Sequence, residues 1–570
     1  MTDMRRTLLW VVFSMSLVLI WDAWNRHNGQ PSLFGPAPAK PAASAAPLPP
    51  SASGLPTPAT PGTAAALPGA TPTVPAAAAT AAAAPAEQVT VSTDLVKATL
   101  DSRGGTLVRL ELLTQRDQND RTKNVVLLDQ SPQRLYFAQT GLIPPAGGTG
   151  LPNHHTPMTV VPGERTLKDG SNEVQLRFES PALGGVKLAK TYTFRRGDYV
   201  IGVKHEVINS GSAPIDPRLY LQLVRDGNPP PGESSFYFTF TGPAVYSDTH
   251  HFEKVDFKSI EKRAPGDKPG HVTSADNGWV AMVQHYFASA WLVDNPGGPK
   301  LSREFYTGKV DTNTYSVGMF LSIGEVAPGS TKVFDSRLFV GPQEEDKLAA
   351  LAPGLQLVKD YGYFKILAEP LFWLLTQLHK VLGNWGWAIV ALVVLLKIAF
   401  YWLNAKAYSS MAKMKAINPK VMELRERLKD KPQQMQQEMM RIYREEKVNP
   451  LGGCLPIFVQ MPFFIALYWV LLSSVEMRQA PWIGWIKDLS AIDPFYILPL
   501  LMTGTSLLQT WLNPTPPDPV QARMMWIMPL VFSVMFFFFP AGLVLYWLTN
   551  NILSIAQQYV INKRLGVIGK

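Results

Sequence analysis

The stretch WGWAIVALVVLLKIAFYW, Trp385 to Trp402, decides how the rest of the chain is organised. It is an apolar run bounded by tryptophans, and at about 1.5 Å per residue a helix over it can cross the apolar core of a bilayer. Lys397 interrupts the apolar pattern. Because a lysine inside a spanning helix costs about 2.5–3.5 kcal/mol on insertion scales, the pattern predicts a functional role for Lys397.

The usual partner of such a lysine is a carboxylate, yet the spans predicted below for the membrane core contain no Asp or Glu. The ammonium group is therefore expected to be held by water, by neutral polar groups or by a group that arrives with a partner. Lys397 lies five residues before Trp402, about 8 Å from the inner end of the helix. Its charge is expected in the cytoplasmic half of the bilayer.

Composition limits the class of protein. The chain has 570 residues, enough for several domains, and a net charge of +9. The positive charge lies beside apolar segments, which favours a cytoplasmic flank of membrane spans over sequence-specific nucleic-acid binding. A single cysteine, Cys454, excludes an intrachain disulfide, and we interpret it as a small packing residue rather than a reactive thiol.

The amino-terminal 86 residues predict an anchor and a tether. Residues 1–27 carry Arg5 and Arg6 before the apolar run Leu8–Ile20, and no small-x-small cleavage site follows closely. This favours an uncleaved membrane anchor with a cytoplasmic amino end over a cleaved signal peptide. Residues 28–86 are rich in Pro and Ala, which predicts a disordered tether. The alternative is that the prolines recruit a partner.

Residues 87–342 predict an all-β sandwich domain outside the cytoplasm. Val174, Leu176 and Phe178 alternate with polar residues, and turn-forming residues separate such runs. The same alternation recurs at Ile201, Val203 and Val207 and at Leu219, Leu221 and Leu223.

No residue pattern in this domain predicts catalysis, a metal site or a cofactor. The adjacent histidines His154–His155 and His250–His251 are predicted to be solvated loop residues, with metal ligation as the alternative. His205 lies on an apolar strand face and is predicted to be a hydrogen-bonded core residue.

Residues 343–384 are predicted to form an amphipathic helix at the outer membrane surface, with Pro370 starting a second helical run. An ordinary linker helix is the alternative. Residues 385–562 are predicted to form a five-span helical core, followed by a basic cytoplasmic tail over 563–570. The charged loop 403–452 is expected in the cytoplasm. Its periodicity predicts an antiparallel helical hairpin with helix starts at Asn418–Pro419 and at Pro432, the alternative being a loop that only sets topology.

Four further spans complete the predicted core: Cys454–Ser474, Pro494–Leu512, Met525–Phe539 and Leu543–Val560. The third is short, since about 15 residues give roughly 22 Å against a core of about 30 Å, which favours local thinning of the bilayer. Together with Lys397, the polar residues in these spans suggest a hydrated cavity open to the cytoplasm. Bonding between neighbouring helices is the alternative for each of them. They are Gln460, Ser473, Ser474, Thr503, Thr505, Ser506, Gln509, Ser533, Thr549, Asn550, Asn551 and Gln557.

The motif content favours transfer of a polypeptide from water to lipid. The chain has no phosphate-binding loop, no intramembrane carboxylate or histidine relay, and no transporter-type repeat. A hydrated cationic groove and an adaptable Met/Phe surface suit an insertase. Two other classes stay open, namely a small-molecule transporter or channel, and an envelope binding protein whose spans merely anchor its β domain.

Several motifs occur in the order of a known family. The chain contains YSSMAKM (408–414), EEKVNPLGGCLPIFVQMPFF (445–464), SSVEMRQAPW (473–482), DLSAIDPFYILPLLM (488–502) and FPAGLVLYWLTNN (539–551). These resemble the YidC/Oxa/Alb family of membrane protein insertases. NGWVAMVQHYFASAW (277–291) resembles the periplasmic domain of its Gram-negative members.

The resemblance implies a non-enzymatic insertase and chaperone of the bacterial inner membrane. It implies nascent membrane proteins, the ribosome, the Sec translocon and the lipid bilayer as partners, and no cofactor. The essential groove charge, usually arginine, corresponds to Lys397, which keeps the charge without the guanidinium fork. Trp547 stands where relatives often carry a second tyrosine. The implied client-contact or groove positions are Gln460, Met461, Pro462, Tyr546 and Trp547.

Overall fold

The computed structural model describes residues 86–564 except 146–149, 234–238, 265, 294–300, 429–430, 447–454 and 514–518. The predicted anchor over 1–27, the tether up to residue 85, Cys454 and residues 565–570 of the basic tail lie outside the described residues.

Eighteen described strands form two nine-stranded antiparallel sheets. The first sheet has, in spatial order, β1 (Gln88–Ser92), β2 (Val96–Asp101), β3 (Thr106–Arg116), β4 (Asn124–Ser131), β5 (Arg134–Ile143), β10 (Arg218–Asp226), β17 (Thr314–Ser322), β16 (Arg303–Asp311) and β13 (Ser274–Ala275). The second has β12 (His251–Lys254), β11 (Gly242–Ser247), β14 (Trp279–Val283), β15 (Phe287–Leu292), β18 (Thr331–Pro342), β9 (Val200–Asn209), β8 (Val186–Arg195), β7 (Glu173–Glu179) and β6 (Thr159–Val160).

The alternation seen in the sequence sets the buried face of the sheets. In β7, Val174, Leu176 and Phe178 are buried while the residues between them face outward. The antiparallel register places Leu176 opposite Tyr192 of β8, which is also buried. The predicted β-sandwich is confirmed. Strands near the centre, such as β10 and β17, are buried on both faces and lack the alternation.

Ten described helices complete the chain. Two short ones belong to the β domain or its end, and eight form the carboxyl-terminal part. They are α1 (Phe257–Glu261), α2 (Glu345–Leu351), α3 (Lys365–Leu382), α4 (Trp385–Ala399), α5 (Tyr401–Arg427), α6 (Pro432–Glu445), α7 (Leu455–Ser473), α8 (Ile497–Leu512), α9 (Pro519–Phe536) and α10 (Ala541–Arg564).

The segment 343–384 differs from the predicted amphipathic helix with a second helical run starting at Pro370. It is divided into α2, two short 3-10 turns and α3, because Leu355 and Val358 of the first turn are buried in the β-domain core. The prediction that Pro370 starts a helix is wrong, since Pro370 lies inside α3. The donor it removes would bond to Ile366 O, and Ile366 is exposed, so water can satisfy that carbonyl group.

A second proline prediction is also wrong. Asn418–Pro419 does not begin a helix, because α5 continues through Pro419 to Arg427. Burial of Ile417, Val421 and Leu424 on one face stabilises the helix across the missing donor. The helix α6 begins at Pro432 as predicted, where the fixed φ of proline suits a first helical position.

The stretch 385–402 is not one straight helix. The helices α4 and α5 are separated at Phe400 and bent by 68°. Among the described residues, no single helix is both long and apolar enough to cross a membrane, whereas α4 with Tyr401–Met414 satisfies that test as a bent pair.

The β domain and the helices share contacts at one end of α7. Val475, just beyond α7, is buried in the core of the β domain. His285 Nε2 lies 2.9 Å from the carbonyl oxygen of Leu472 in the last turn of α7. Burial lowers the pKa of His285 to about 4, so its neutral ring donates this hydrogen bond at neutral pH. The β domain therefore satisfies part of the carboxyl end of α7.

Candidate functional site

The candidate site begins with the helix that carries Lys397. Asn384 caps the amino end of α4, because its side-chain oxygen accepts a hydrogen bond from the backbone nitrogen of Trp387 at 3.1 Å. Lys397 lies in the last turn, where the carbonyl end of the helix dipole favours a cation. The ammonium group therefore stands just before the bend at Phe400.

The partner of Lys397 is a neutral hydroxyl group. Lys397 Nζ donates to Ser554 Oγ of α10 at 2.7 Å, and Ser554 is only 3% exposed. The Ser554 hydroxyl in turn donates to the Asn550 carbonyl oxygen at 2.7 Å, which leaves its oxygen free to accept from lysine. Within the described part of the chain, no carboxylate oxygen lies within 4.0 Å of this ammonium group. The sequence predicted that water, a neutral polar group or a partner's group would hold the ammonium group, and the structure shows a neutral polar group.

Lys397 lines a small open cleft between α4, α7 and α10 with a volume of about 30 Å³. The apolar part of its wall consists of Val393, Leu396, Phe400, Phe463 and Phe464, and the polar part of Lys397, Gln460, Tyr546 and Asn550. Amide, hydroxyl and ammonium groups around a cleft supply the several partners that a bound water requires. The arrangement can therefore hold water beside a cation inside an otherwise apolar bundle.

The structure brings together three of the six positions singled out from the sequence. Gln460 and Tyr546 line the same cleft as Lys397. Gln460 Nε2 donates to Asn404 Oδ1 at 2.9 Å, which connects α7 with α5.

The other three positions lie outside the cleft lining. Met461 is 45% exposed on the outer side of α7, and Pro462 lies inside the same helix. Trp547 packs against Phe536 of α9, with ring centroids 4.8 Å apart. These residues border the helical core instead of the polar cleft.

Two residues of the site were missed in the sequence. Ser554 holds the lysine, and the buried Asn404 holds Gln460. For Ser554 a signal existed, because Tyr546, Asn550 and Ser554 recur every four residues and so share one face of α10. No feature of the sequence points to Asn404, since it lies beyond the bend at Phe400, which the apolar run does not predict.

The histidines of the β domain have different environments. The prediction of solvation is wrong for His154, whose Nδ1 lies 2.5 Å from the Tyr220 hydroxyl, and burial lowers its pKa to about 3. It is confirmed for His250 and His251, which are exposed. His205 is a buried core residue as predicted, 3.0 Å from Thr140 Oγ1. No group of three potential metal ligands occurs among the residues the structure describes.

The β domain also buries a lysine in its core. Lys190 Nζ of β8 donates to the carbonyl oxygens of Gly104 at 2.6 Å and Thr140 at 2.7 Å in the opposite sheet. Burial lowers the pKa of Lys190 to about 7. A neutral amine has two N–H donors, which match these two carbonyl groups, so Lys190 ties the sheets together.

The described chain thus consists of a large β-sandwich joined to an apolar helical core that carries a lysine-lined cleft. Two family models cover the two parts of the chain and meet within α3. Residues 88–374 match the model described as the YidC periplasmic domain, and residues 377–567 match the model described as the 60Kd inner membrane protein.

Relatives of the chain match it over nearly its whole length. The membrane protein insertase YidC of Ralstonia nicotianae is 53% identical over 565 residues, which are 99% of this chain and 98% of the relative. That of Cupriavidus necator is 55% identical over 566 residues, with the same two shares. A solved structure of an active YidC insertase covers 83% of this chain and 94% of its own, at 19% identity and a TM-score of 0.38. The chain belongs to the YidC family of membrane protein insertases.

Proposed function

We propose that the chain is a membrane protein insertase that passes apolar segments of nascent proteins from the cytoplasm into the inner membrane. The observation that carries the proposal is the Lys397 ammonium group, held by the neutral Ser554 hydroxyl on the wall of a cleft. Membership of the family supports the class of activity. The relatives are named insertases, and we propose a non-enzymatic role without a cofactor.

The cation attracts an acidic residue in the polar tail of a client. At an effective dielectric constant of about 20, two unit charges 4 Å apart attract by about 4 kcal/mol before the cost of removing them from water. That cost offsets much of the attraction. A net preference of about 1.4–2.8 kcal/mol for acidic over neutral tails corresponds to about 10- to 100-fold. The pairing is strong enough to guide a tail and weak enough to release it.

Apolar segments meet a separate surface. Met461 of α7 and Met535 of α9 are exposed, as is Phe538 just beyond α9, whereas Phe536 and Phe539 are buried in the helical core. Flexible methionine side chains adapt to segments of varied shape. We propose that Met461, Met535 and Phe538 contact the apolar segment of the client while the polar cleft holds its tail.

The proposed spans rest on helix lengths, and their orientation rests on the positive charge of the loop 403–452. The helices α7, α8 and α9 have 19, 16 and 18 residues, or about 28, 24 and 27 Å. The helix α9 is longer than the predicted span Met525–Phe539, because it begins at Pro519. The shortest of the three is α8, and against an apolar core of about 30 Å its length favours a locally thinned bilayer. We propose five spans after the amino-terminal anchor, the β domain in the periplasm and both termini in the cytoplasm.

The proposed partners follow from this placement. The charged helices α5 and α6 carry the features of a cytoplasmic docking element, and Lys420 near the end of α5 pairs with Glu446 beyond α6 at 2.6 Å. We propose that this hairpin meets the ribosome, and that the protein works alone or beside the Sec translocon within the bilayer.

Site-specific crosslinking tests the proposal. Photoreactive residues at positions 397 and 461 should crosslink to a nascent single-span client, and one at exposed position 363, on the β-domain side of α3, should not. Failure of both 397 and 461 to crosslink would refute the proposed path.

Charge variants test the electrostatic step. Lys397→Gln and Lys397→Glu should reduce insertion of a client with an acidic tail about 10- to 100-fold relative to the same client with Asn in place of its acidic residues. Lys397→Arg should stay near the original activity. The matched control is Lys406→Glu, which alters an exposed lysine over the Trp402 ring outside the cleft. Equal loss with Lys397→Glu and Lys397→Arg would remove charge from the mechanism.

A further inference from the structure

Ser554 occupies an unusual position among the serines of the helical core. It accepts a hydrogen bond from Lys397 at 2.7 Å and donates its own proton to the backbone of α10 at 2.7 Å. The hydroxyl proton is committed to the Asn550 carbonyl group, so the oxygen presents its lone pairs to the Lys397 ammonium group and to the nearby Tyr408 hydroxyl group. The serine is 3% exposed and its hydrogen-bonding capacity is directed by the helix that carries it.

This geometry fixes the direction of the lysine side chain. A lysine has four rotatable side-chain bonds, and without an acceptor the ammonium group of Lys397 would sample several positions. The bond to Ser554 holds it on the cleft wall beside Asn550. One of its three N–H donors is used by Ser554, and within the described residues no second acceptor is recorded for the other two. Those two donors remain for water or a client.

We propose that Ser554 is a positioning residue that holds the Lys397 ammonium group in the cleft without neutralising it. The inference rests on the proposed function and adds the residue that controls it. A neutral acceptor orients the cation and can be outcompeted by a carboxylate, because a carboxylate adds an attraction between two unit charges of about 4 kcal/mol at 4 Å and an effective dielectric constant of about 20. A carboxylate at position 554 would instead form a permanent internal ion pair and block the client.

Three variants separate these roles. Ser554→Asp supplies the internal anion, Ser554→Ala removes the acceptor, and Ser554→Thr keeps the hydroxyl group. The control is Ser533→Ala in α9, since Ser533 is 4% exposed and makes the same type of bond, to the Pro529 carbonyl oxygen at 2.6 Å, without a lysine. Proteolytic fragment patterns of the purified full chain in detergent verify that each variant is folded.

The readout is the insertion of two matched single-span clients, one with an acidic tail and one with Asn in place of the acidic residues. Ser554→Asp should lower insertion of the acidic client about tenfold and of the neutral client less than twofold. Ser554→Ala should lower insertion of the acidic client about threefold, and Ser554→Thr should restore it. A merely structural serine would lower both clients equally, as would be found if Ser554→Ala and Ser533→Ala behaved alike. That result would overturn the proposal.

A second measurement does not depend on clients. A small amine-specific reagent modifies Lys397 at a rate that mass spectrometry of the full chain can follow. This rate should fall with Ser554→Asp and rise with Ser554→Ala. Identical rates in all variants would overturn the positioning role. The Lys397→Gln variant distinguishes the two levels of failure. If it depresses the acidic client while the Ser554 variants do not, only the positioning role is wrong, whereas no effect of Lys397→Gln refutes the electrostatic step itself.

Discussion

Lys359 provides the sharpest test of how the β-sandwich is fixed to the helical core. Its side chain is fully buried, and its ammonium nitrogen lies 3.2 and 3.3 Å from the two carboxylate oxygens of Glu476 beyond α7. Glu345 of α2 lies 3.9 Å away, and the Phe372 ring of α3 has its centroid at 3.5 Å. One cation therefore joins α2, α3 and the segment after α7.

The structure sets the size of each effect. Lys359→Met leaves Glu345 and Glu476 facing each other without a cation, and loss of one partner of a buried ion pair costs about 3–5 kcal/mol. Burial already raises the pKa of Glu345, so that carboxyl group will take up a proton more readily in the variant. Glu476→Gln should cost less, about 1–2 kcal/mol, because Glu345 still faces the lysine.

The two changes should not add. Once Lys359→Met has removed the cation, Glu476→Gln relieves a repulsion instead of breaking a pair. The double variant should therefore be more stable than the sum predicts by at least about 1 kcal/mol. The assay is pulse proteolysis of the full chain in detergent over a urea gradient, with the midpoint read from loss of full-length protein.

A matched exposed pair controls this cycle. Lys365 and Glu369 of α3 are 3.4 Å apart and each about half exposed, so the cycle Lys365→Met with Glu369→Gln should give a coupling below about 0.5 kcal/mol. If the coupling between Lys359 and Glu476 were no larger than this, the buried cluster would not be what holds the two parts together.

Three further predictions concern stability in the same assay. The first compares the free energy of unfolding of the unmodified chain with that of Lys190→Met. The difference should rise with pH by up to about 1.4 kcal/mol per pH unit between pH 7.5 and 9.5, because the folded pKa of Lys190, about 7, lies below the unfolded value of 10.5 and the unfolded state binds more protons there. A difference that does not change with pH would show that burial does not depress this pKa. Gly104→Ala should cost more than about 2 kcal/mol, since the φ of Gly104 is +65° and a Cβ there would lie 2.3 Å from the backbone of His154. Gly170 also has a positive φ but open space around it, so Gly170→Ala should cost only about 1–2 kcal/mol. Equal costs would refute the close approach at Gly104. Asn384→Ala should cost about 1–2 kcal/mol, because it removes the cap of α4 and two hydrogen bonds to the loop after α7. Asn384→Asp should retain the cap and lose less stability. Equal losses would mean that capping does not stabilise α4.

The sequence allowed the two architectures to be predicted because each has its own period. The alternation at Val174, Leu176 and Phe178 reports a half-buried strand directly, and the long apolar runs report helices. Lys397 was found for the same local reason, since a charge within an apolar run is visible without any knowledge of the fold. Features of this kind depend on neighbours in sequence.

Features that depend on distant residues could not be predicted. The bend at Phe400 has no proline or glycine to announce it. Pro370 and Pro419 were misassigned because burial of the surrounding helix face outweighs one missing donor. The bond between Lys397 and Ser554 joins residues 157 positions apart, and a serine in an apolar helix ordinarily bonds only to its own backbone. Ser554 differs little in sequence from other serines of apolar helices, whereas Lys397 stands out as a charge within an apolar run.

Two buried lysines and the half-buried Lys397 show why the site differs from its surroundings. Lys190 has a pKa of about 7 and finds two carbonyl groups, so it can lie neutral in the β-domain core. Lys359 finds two carboxylates and an aromatic ring, and is paired permanently. Lys397 finds one hydroxyl group at the edge of a cleft. The first two arrangements satisfy the lysine within the fold, and each serves to hold elements together. The third leaves two N–H donors of the ammonium group without a recorded partner among the described residues, so their hydrogen bonds depend on water or on the client carboxylate proposed above.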